Sequence, residues 1–231
     1  MGVLRRAIES LLSLFFPRLC LVCGNSLVEG EQHLCLHCLD IMPRTRYHLE
    51  RDNALEKIFW GKVSVERVTA LFYFYKGGGY RDLIHAIKYR DGKSCARYMG
   101  FIAAREIVGS GFFDGVEVII PVPLHARRKA IRGFNQSEEI ALGIANHIGV
   151  PVWSDKLIRT KHNPTQTQMK RDERWDNVST IFSLVDVEAL DGKHILLVDD
   201  VITSGSTLEA CVRELQRVAD VRVSILTLAT V

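Results

Sequence analysis

The chain of 231 residues has few of the features that mark non-globular proteins. It contains 6 prolines and 17 glycines and no internal repeat, which excludes collagen-like and low-complexity fibres. Hydrophobic residues make up 47% of the chain and charged residues 25%, so disorder is excluded and a folded core is expected. The net charge is only +3, which permits an anionic partner but does not demonstrate one. The length predicts one full-size domain with a small appendage.

No window of the sequence supplies the roughly 20 apolar residues that a membrane-spanning helix needs. Glu9 interrupts the apolar start and no small-residue cleavage site follows, so we expect no secretory signal and a cytoplasmic protein. Apolar residues at helical spacing over 4–15 predict a short amphipathic helix. This helix either packs on the protein's own body or, through residues 1–18, makes a peripheral contact with the inner membrane, which Arg5 and Arg6 favour.

Four of the six cysteines form two close pairs in the pattern C-x2-C-x11-C-x2-C: Cys20, Cys23, Cys35 and Cys38. Two such pairs supply four thiolates to a tetrahedral Zn²⁺ ion. Two disulfides are the alternative, but a reducing compartment favours zinc. Four thiolates leave no position for a substrate, so the predicted role of the metal is structural. Cys95 and Cys211 are interpreted as core thiols.

Strands and helices alternate along the rest of the chain. The patterns predict strands from about 63 to the glycines at 77, over 116–124, 193–199 and 221–230, and helices over 80–89, 94–108, 135–148 and 207–218. This alternation predicts an α/β fold with a mostly parallel sheet. We therefore divide the chain into residues 1–60, with the amphipathic helix, the zinc knuckle and a connector, and residues 61–231, the α/β domain.

The most specific motif is HILLVDDVITSGSTL at 194–208, in which an apolar run typical of a central parallel strand precedes two carboxylates, Asp199 and Asp200. A turn of small and hydroxyl-bearing residues then leads into a helix: Thr203, Ser204, Gly205, Ser206 and Thr207. The N–H groups of such a helix start bind phosphate, and Gly205 would let the backbone approach it closely. The carboxylates would face sugar hydroxyls, directly or through Mg²⁺. Together they indicate a ribose 5-phosphate site.

This segment resembles the phosphoribosyl pyrophosphate (PRPP) signature of type I phosphoribosyltransferases. The resemblance implies that Asp199 and Asp200 hold the ribose 2′- and 3′-hydroxyls and that residues 203–207 hold the 5-phosphate. It also implies PRPP with Mg²⁺ as the ligand, and a mostly parallel twisted sheet flanked by helices as the fold. Ser204 stands where the family often has Thr, and the hydroxyl is retained.

Further segments are similar to the ComF family, phosphoribosyltransferase-like proteins with an N-terminal four-cysteine knuckle. These segments are LIHAIKY at 83–89, IPVPLH at 120–125, RGFNQ at 132–136 and the Thr/Gln-rich stretch 159–178. The resemblance implies a link to DNA uptake in natural competence. It also implies transfer of a phosphoribosyl group from PRPP with release of pyrophosphate.

Basic residues are concentrated over 125–174, with ten Lys and Arg against five Asp and Glu. A departing pyrophosphate needs such cations. Arg132 and Gly133 stand at a predicted helix start, where Arg132 could contact a phosphate in bidentate fashion. The polar, Thr- and Gln-rich composition of residues 159–178 is typical of a loop that covers an active site as a lid. Lys88 could either reach the pyrophosphate or extend into solvent. The candidates for pyrophosphate and lid contacts are Lys88, Arg132, Arg159 and Arg171.

Two functions remain open from the sequence. One is a Mg²⁺-dependent transferase, for which the sequence names neither an acceptor nor a covalent catalyst. The other is a non-catalytic competence accessory protein that binds single-stranded DNA and proteins of the competence machinery, with PRPP as a regulatory ligand. Aromatic residues that could stack on DNA bases, or belong to the core instead, are Phe59, Trp60, Phe72, Tyr73, Phe74 and Tyr75.

Overall fold

A computed structural model describes residues 16–75, 78–89, 92–160 and 181–231. Its strands are β1 (Arg67–Tyr73), β2 (Val118–Pro121), β3 (Leu157–Arg159), β4 (Phe182–Leu184), β5 (His194–Ile202) and β6 (Arg222–Thr230). Its α-helices are α1 (Leu36–Asp40), α2 (Ala54–Lys57), α3 (Gly79–Lys88), α4 (Gly92–Ile107), α5 (Ala126–Arg132), α6 (Gln136–Ile148) and α7 (Ser206–Leu215). None of the described helices is long and apolar enough to cross a membrane.

The main sheet has four parallel strands in the order β1-β6-β5-β2, and β3 and β4 form a separate antiparallel pair. Strand β5 is central, and residues 195–198 are fully buried because core side chains cover both faces of the sheet. The predicted α/β fold with a mostly parallel sheet is therefore confirmed. The short helix α5 and the β3–β4 pair were not predicted, because each is brief and lacks a clear apolar period.

Strand β5 extends further than its apolar run predicts. The sequence places its end at residue 199, but pairing with β6 continues to Ile202, which lies opposite Thr230. Asp199 and Asp200 therefore lie within the C-terminal part of strand β5 and not in the loop that follows it. The hydrogen bonds of the neighbouring strand hold these polar residues in the sheet, which an apolar pattern cannot reveal.

The N-terminal segment packs on the α/β domain. Leu34 and Cys38 belong to the same hydrophobic core as Leu83 and Ile87 of α3, while Phe59 is fully buried in the core on the opposite face of the sheet. The boundary expected at residue 60 stays a prediction. The predicted amphipathic helix and its membrane contact fall mainly on residues 1–15, which lie outside the described residues.

Helices α4 and α6 approach closely because each has a glycine at their contact. A Cβ on Gly143 would lie 2.0 Å from the carbonyl oxygen of Arg97, and a Cβ on Gly100 would lie 2.1 Å from the carbonyl oxygen of Ile140. Backbone stands in the way in both cases, so neither position has space for a side chain. The close contact also fixes α6, which carries residues of the site described below.

Gly143→Ala is expected to lower the free energy of unfolding by about 1–3 kcal/mol, since the two helices must separate to admit a methyl group. Gly78→Ala is the matched control, because a Cβ there would be 3.7 Å from its nearest neighbour, the carbonyl oxygen of Tyr75. Urea unfolding of both variants measures the difference. Equal stability of the two variants would contradict the close packing of α4 on α6.

Candidate functional site

The two aspartates of β5 line a cavity of about 510 Å³ at the carboxyl edge of the sheet. Both are buried, with 9% of Asp199 and 6% of Asp200 exposed. The hydroxyl of Ser137, in the first turn of α6, donates to Asp199 Oδ1 at 2.8 Å, and the Asp200 backbone N–H donates to the same oxygen at 2.9 Å. Asp199 is thus held from two sides at the cavity wall.

Asp200 has an incompletely satisfied oxygen. Its buried Oδ2 accepts no well-aligned hydrogen bond from the described residues. The Lys88 ammonium lies 3.0 Å from this oxygen, which is an ion-pair distance. A buried carboxylate oxygen with spare acceptor capacity is suited to sugar hydroxyls or to a cation.

The environment of Asp199 disfavours its charge. Burial, and then the neighbouring charge of Asp200, raise the pKa of Asp199 from its ordinary value of 3.8 to about 7. The hydrogen bonds from Ser137 and from the Asp200 backbone oppose this shift without cancelling it. A bound cation or polar ligand would therefore relieve an electrostatic cost that is present in the free protein.

Cationic side chains surround the same cavity. Within the part of the chain that the structure describes, four of them line it: Lys88, Arg128, Arg132 and Arg159. Three of the predicted pyrophosphate or lid candidates are thus brought together with the aspartates. The fourth candidate, Arg171, and residues 161–178 of the predicted lid lie outside the described residues, whereas Arg159 ends strand β3.

The predicted placement of Arg132 at a helix start is wrong. Arg132 ends α5, Gly133 caps that helix in the left-handed conformation, and α6 begins only at Gln136. The Arg132 guanidinium donates a hydrogen bond to the side-chain oxygen of Gln136. It therefore still faces the cavity, from the end of one helix toward the beginning of the next.

The hydroxyl-bearing turn after β5 is exposed except for its glycine. Thr203, Ser204, Ser206 and Thr207 are exposed, and Thr207 lines the cavity. Among the described residues no side chain caps the N-terminus of α7, so its first N–H groups remain available to a ligand.

The interpretation of Gly205 needs correction. Gly205 is buried in the left-handed conformation, and a Cβ there would lie 2.7 Å from Ile58 Cγ2 and 3.4 Å from Phe59 Cζ. The missing side chain makes room for these two residues of the N-terminal segment, and the close approach of a phosphate to this backbone stays a prediction. The sequence could not distinguish the two reasons, because both require a glycine at a tight turn.

The four paired cysteines form one cluster, with their sulfur atoms all within 4.8 Å of one another. A turn closed by Gly24 in the left-handed conformation presents the first pair, and Cys35 caps the N-terminus of α1 in the second. Cys23 Sγ and Cys35 Sγ are 3.8 Å apart. Zn–S bonds of about 2.3 Å in a tetrahedron place sulfurs about 3.8 Å apart, so the cluster can hold a metal ion such as zinc.

The thiols of this cluster differ in how readily they lose a proton. Burial opposes ionisation of Cys20, but backbone N–H groups of Cys23 and Cys35 outweigh it and lower the pKa of Cys20 to about 7. Burial and the neighbouring sulfurs raise the pKa of Cys38. Without a metal ion the cluster thus favours ionisation of one thiol, Cys20. A bound divalent cation would stabilise all four cysteines as thiolates.

The two remaining cysteines are buried, as expected of core thiols. Burial raises the pKa of Cys95 to about 12 and that of Cys211 well above its ordinary value, so neither thiol is an activated nucleophile.

The aromatic residues that could stack on DNA do not share one environment. Phe59 and Phe72 are completely buried in the core, where no base can reach them. Trp60 and Tyr75 are exposed by 56% and 60%. A stacking surface built from the whole set is therefore excluded.

Sequence reasoning missed Ser137, Gln136 and Arg128 as lining residues of the cavity. The sequence did carry a signal for Ser137 and Gln136, because Asn135 is a typical N-cap residue and indicates that a helix starts there. The Asn135 side chain also donates to the carbonyl oxygen of Val122 at 3.0 Å, which ties α6 to the segment after β2. That contact brings the start of α6 to the aspartates.

Known proteins are similar to the part of the chain that contains Ser137, Asp199 and Asp200. The model of the phosphoribosyl transferase domain family matches residues 135–231. Competence protein F of Haemophilus influenzae is 34% identical over 109 residues, which cover 47% of this chain and 48% of that protein. DNA utilization protein YhgH of Escherichia coli K12 is 28% identical over 194 residues, which cover 82% of this chain and 80% of that protein. These matches support a ComF-family, phosphoribosyltransferase-like protein.

The match to the phosphoribosyl transferase domain agrees with the parallel sheet and with the position of the aspartates at its carboxyl edge. A solved structure of glutamine PRPP amidotransferase from B. subtilis, complexed with ADP and GMP, is 27% identical and covers 58% of this chain and 27% of that chain. Its TM-score is 0.41, so the fold assignment rests on the family match and on the strand order.

Elemental analysis of the protein, purified without a tag, should find about one zinc ion per chain. Cys38→Ser removes one of the four sulfurs and is expected to lower that ratio to near zero. Cys95→Ala is the control, since its thiol lies outside the cluster, and it should keep the ratio of the unmodified protein. Absence of zinc from the unmodified protein, or its retention in Cys38→Ser, would contradict the assignment.

The raised pKa of Asp199 predicts that its charge destabilises the free protein. The folded state binds this proton up to about pH 7 and the unfolded state only up to about 3.8, so stability falls as the pH rises between these values. Asp199→Asn cannot ionise and should therefore be more stable than the unmodified protein by about 2–4 kcal/mol at pH 8. Urea unfolding measures this gain, which should shrink as the pH falls toward 4. The exposed Asp191→Asn is the control, and a gain independent of pH would refute the shift.

Proposed function

We propose that this protein binds PRPP together with Mg²⁺ in the 510 Å³ cavity and transfers its phosphoribosyl group with release of pyrophosphate. The observation that supports this best is the convergence of two buried carboxylates, four cationic side chains and an uncapped helix N-terminus on one cavity. Each of these features complements a different part of PRPP, which carries ribose hydroxyls, a 5-phosphate and a pyrophosphate.

The aspartates are suited to the ribose end of the ligand. Asp199 and Asp200 would accept hydrogen bonds from the 2′- and 3′-hydroxyls, and the spare acceptor capacity of Asp200 Oδ2 fits that role. The exposed hydroxyls of 203–207 and the first N–H groups of α7 would bind the 5-phosphate. Bound Mg²⁺ would supply charge neutralisation to the phosphates, with carboxylate oxygens of this pair as its protein ligands.

The reaction is a displacement at C1 of the ribose. The C1–O bond to pyrophosphate breaks, pyrophosphate leaves with the electron pair, and the acceptor forms the new bond to C1. Lys88, Arg128, Arg132 and Arg159 would stabilise the negative charge that develops on the leaving group. Because the lone thiols are not activated, the proposal contains no covalent intermediate with the protein.

We also propose that this activity serves DNA uptake or DNA utilisation. Two relatives, a competence protein and a DNA utilization protein, are named for such roles and support the proposal. The alternative from the sequence, a non-catalytic accessory protein with PRPP as a regulatory ligand, uses the same cavity. It differs in the absence of turnover and in the binding of single-stranded DNA and competence proteins, and pyrophosphate release distinguishes the two.

Isothermal titration calorimetry with PRPP and Mg²⁺ tests the site. We expect saturable binding to the unmodified protein and a loss of at least 100-fold in affinity for Asp199→Asn/Asp200→Asn, because the hydroxyl acceptors and the metal ligands lose their charge. Asp191→Asn, an exposed change outside the cavity, should bind like the unmodified protein. Unchanged affinity in the double variant would place the ligand elsewhere.

A further inference from the structure

The cysteine cluster and the aspartate cavity contact opposite ends of one helix. Helix α3 has 10 residues, which span about 15 Å. Its first residues contact the knuckle, residues 20–38, and its last residue, Lys88, contacts Asp200. A change at one of these places can therefore reach the other through a single element of secondary structure.

Two contacts join the start of α3 to the knuckle. Gly79 lies against the backbone of Val22, which stands between the first two cysteines, and a Cβ on Gly79 would clash with the Val22 carbonyl oxygen. The Tyr80 hydroxyl donates to the carbonyl oxygen of Cys38 at 2.6 Å. The first turn of α3 is thus tied to both cysteine pairs, by backbone packing to one and by a hydrogen bond to the other.

The end of α3 supplies a cation to the cavity. The Lys88 ammonium lies 3.0 Å from Asp200 Oδ2, and the side chains of Leu83 and Ile87 on the same helix are fully buried. A short helix with a packed face moves as a unit, because close-packed side chains transmit a displacement and do not absorb it. A tilt at the start of α3 would therefore change where the Lys88 ammonium lies.

A metal ion would fix the position of the knuckle. The four sulfur atoms lie within 4.8 Å of one another, so one bound ion such as zinc would hold both cysteine pairs in a single arrangement. In a segment this short, metal binding supplies much of the folding free energy. If the ion were lost, the first turn of α3 would lose the fixed backbone on which it packs.

We infer that metal occupancy of the cysteine cluster sets the affinity of the aspartate cavity for PRPP, with α3 as the connecting element. The inference rests on the proposed function, since PRPP is its ligand. With the ion bound, the knuckle anchors α3 and keeps Lys88 within reach of the pyrophosphate. Without it α3 can tilt, and PRPP binding must first order Lys88 again. Because such coupling is reciprocal, PRPP with Mg²⁺ strengthens retention of the ion by the same factor.

Zinc competition measures this factor at equilibrium. Zinc-loaded protein is titrated with a chelator of low affinity for Mg²⁺, in the presence of Mg²⁺, with and without saturating PRPP, whose binding calorimetry verifies. We expect PRPP to lower the apparent dissociation constant for zinc by at least about fivefold. Tyr80→Phe keeps the ring but removes the hydroxyl that reaches Cys38, and should reduce the factor to about twofold or less. Lys88→Gln, at the other end of α3, should reduce it likewise.

Tyr73→Phe is the matched control. It also removes a hydroxyl, one that donates to the Tyr47 hydroxyl at 2.8 Å, and neither residue belongs to α3, to the knuckle or to the lining of the aspartate cavity. This variant should keep the full factor. Equal factors in Tyr80→Phe and Tyr73→Phe would overturn the inference, because PRPP would then act through the stability of the whole fold.

The same measurements separate failure of the coupling from failure of the proposed function. Unchanged zinc affinity in a protein that binds PRPP would overturn the coupling and leave the proposed function intact. A protein that binds PRPP but holds no zinc would do the same. A protein that binds no PRPP would overturn both.

Discussion

The rest of the site depends on two adjacent carboxylates within a buried parallel strand. Consecutive residues of a strand point to opposite faces of the sheet, so Asp199 and Asp200 can both border one cavity only near the end where the strand leaves the sheet. Burial and mutual repulsion disfavour their joint ionisation, which the raised pKa of Asp199 reflects. The fold retains an electrostatic cost here that a cation, a polar ligand or protonation of Asp199 relieves.

The surroundings of these aspartates show how the fold limits that cost. Lys88 reaches Asp200 from the end of α3, and Ser137 reaches Asp199 from the start of α6. Both helices are fixed elsewhere, α6 by its close contact with α4 and α3 by the knuckle, where the Tyr80 hydroxyl donates to the Cys38 carbonyl oxygen at 2.6 Å. The cysteine cluster is thereby linked to the aspartate cavity through α3, which carries Lys88 at its C-terminal end.

Local patterns in the sequence were sufficient to predict most of the strands and helices that carry the site. The apolar run before Asp199, the paired cysteines and the helical period over 135–148 are each visible in a short stretch of sequence, so the central strand, the cluster and α6 could be predicted. Interactions between segments that are distant in the sequence could not be predicted. The packing of Ile58 on Gly205, the bond from Ser137 to Asp199 and the extension of β5 along β6 all join residues that only the tertiary fold brings together.

A crystal structure of the protein with PRPP and Mg²⁺ tests the central claim most directly. We expect ribose density with its 2′- and 3′-hydroxyls within hydrogen-bond distance of Asp199 and Asp200, and the 5-phosphate at the N-terminus of α7 beside Thr207. We also expect that the Lys88 ammonium moves from Asp200 toward the pyrophosphate. Density for PRPP away from these carboxylates, or an occupied cavity in which Asp199 and Asp200 make no contact with ligand or metal, would contradict it.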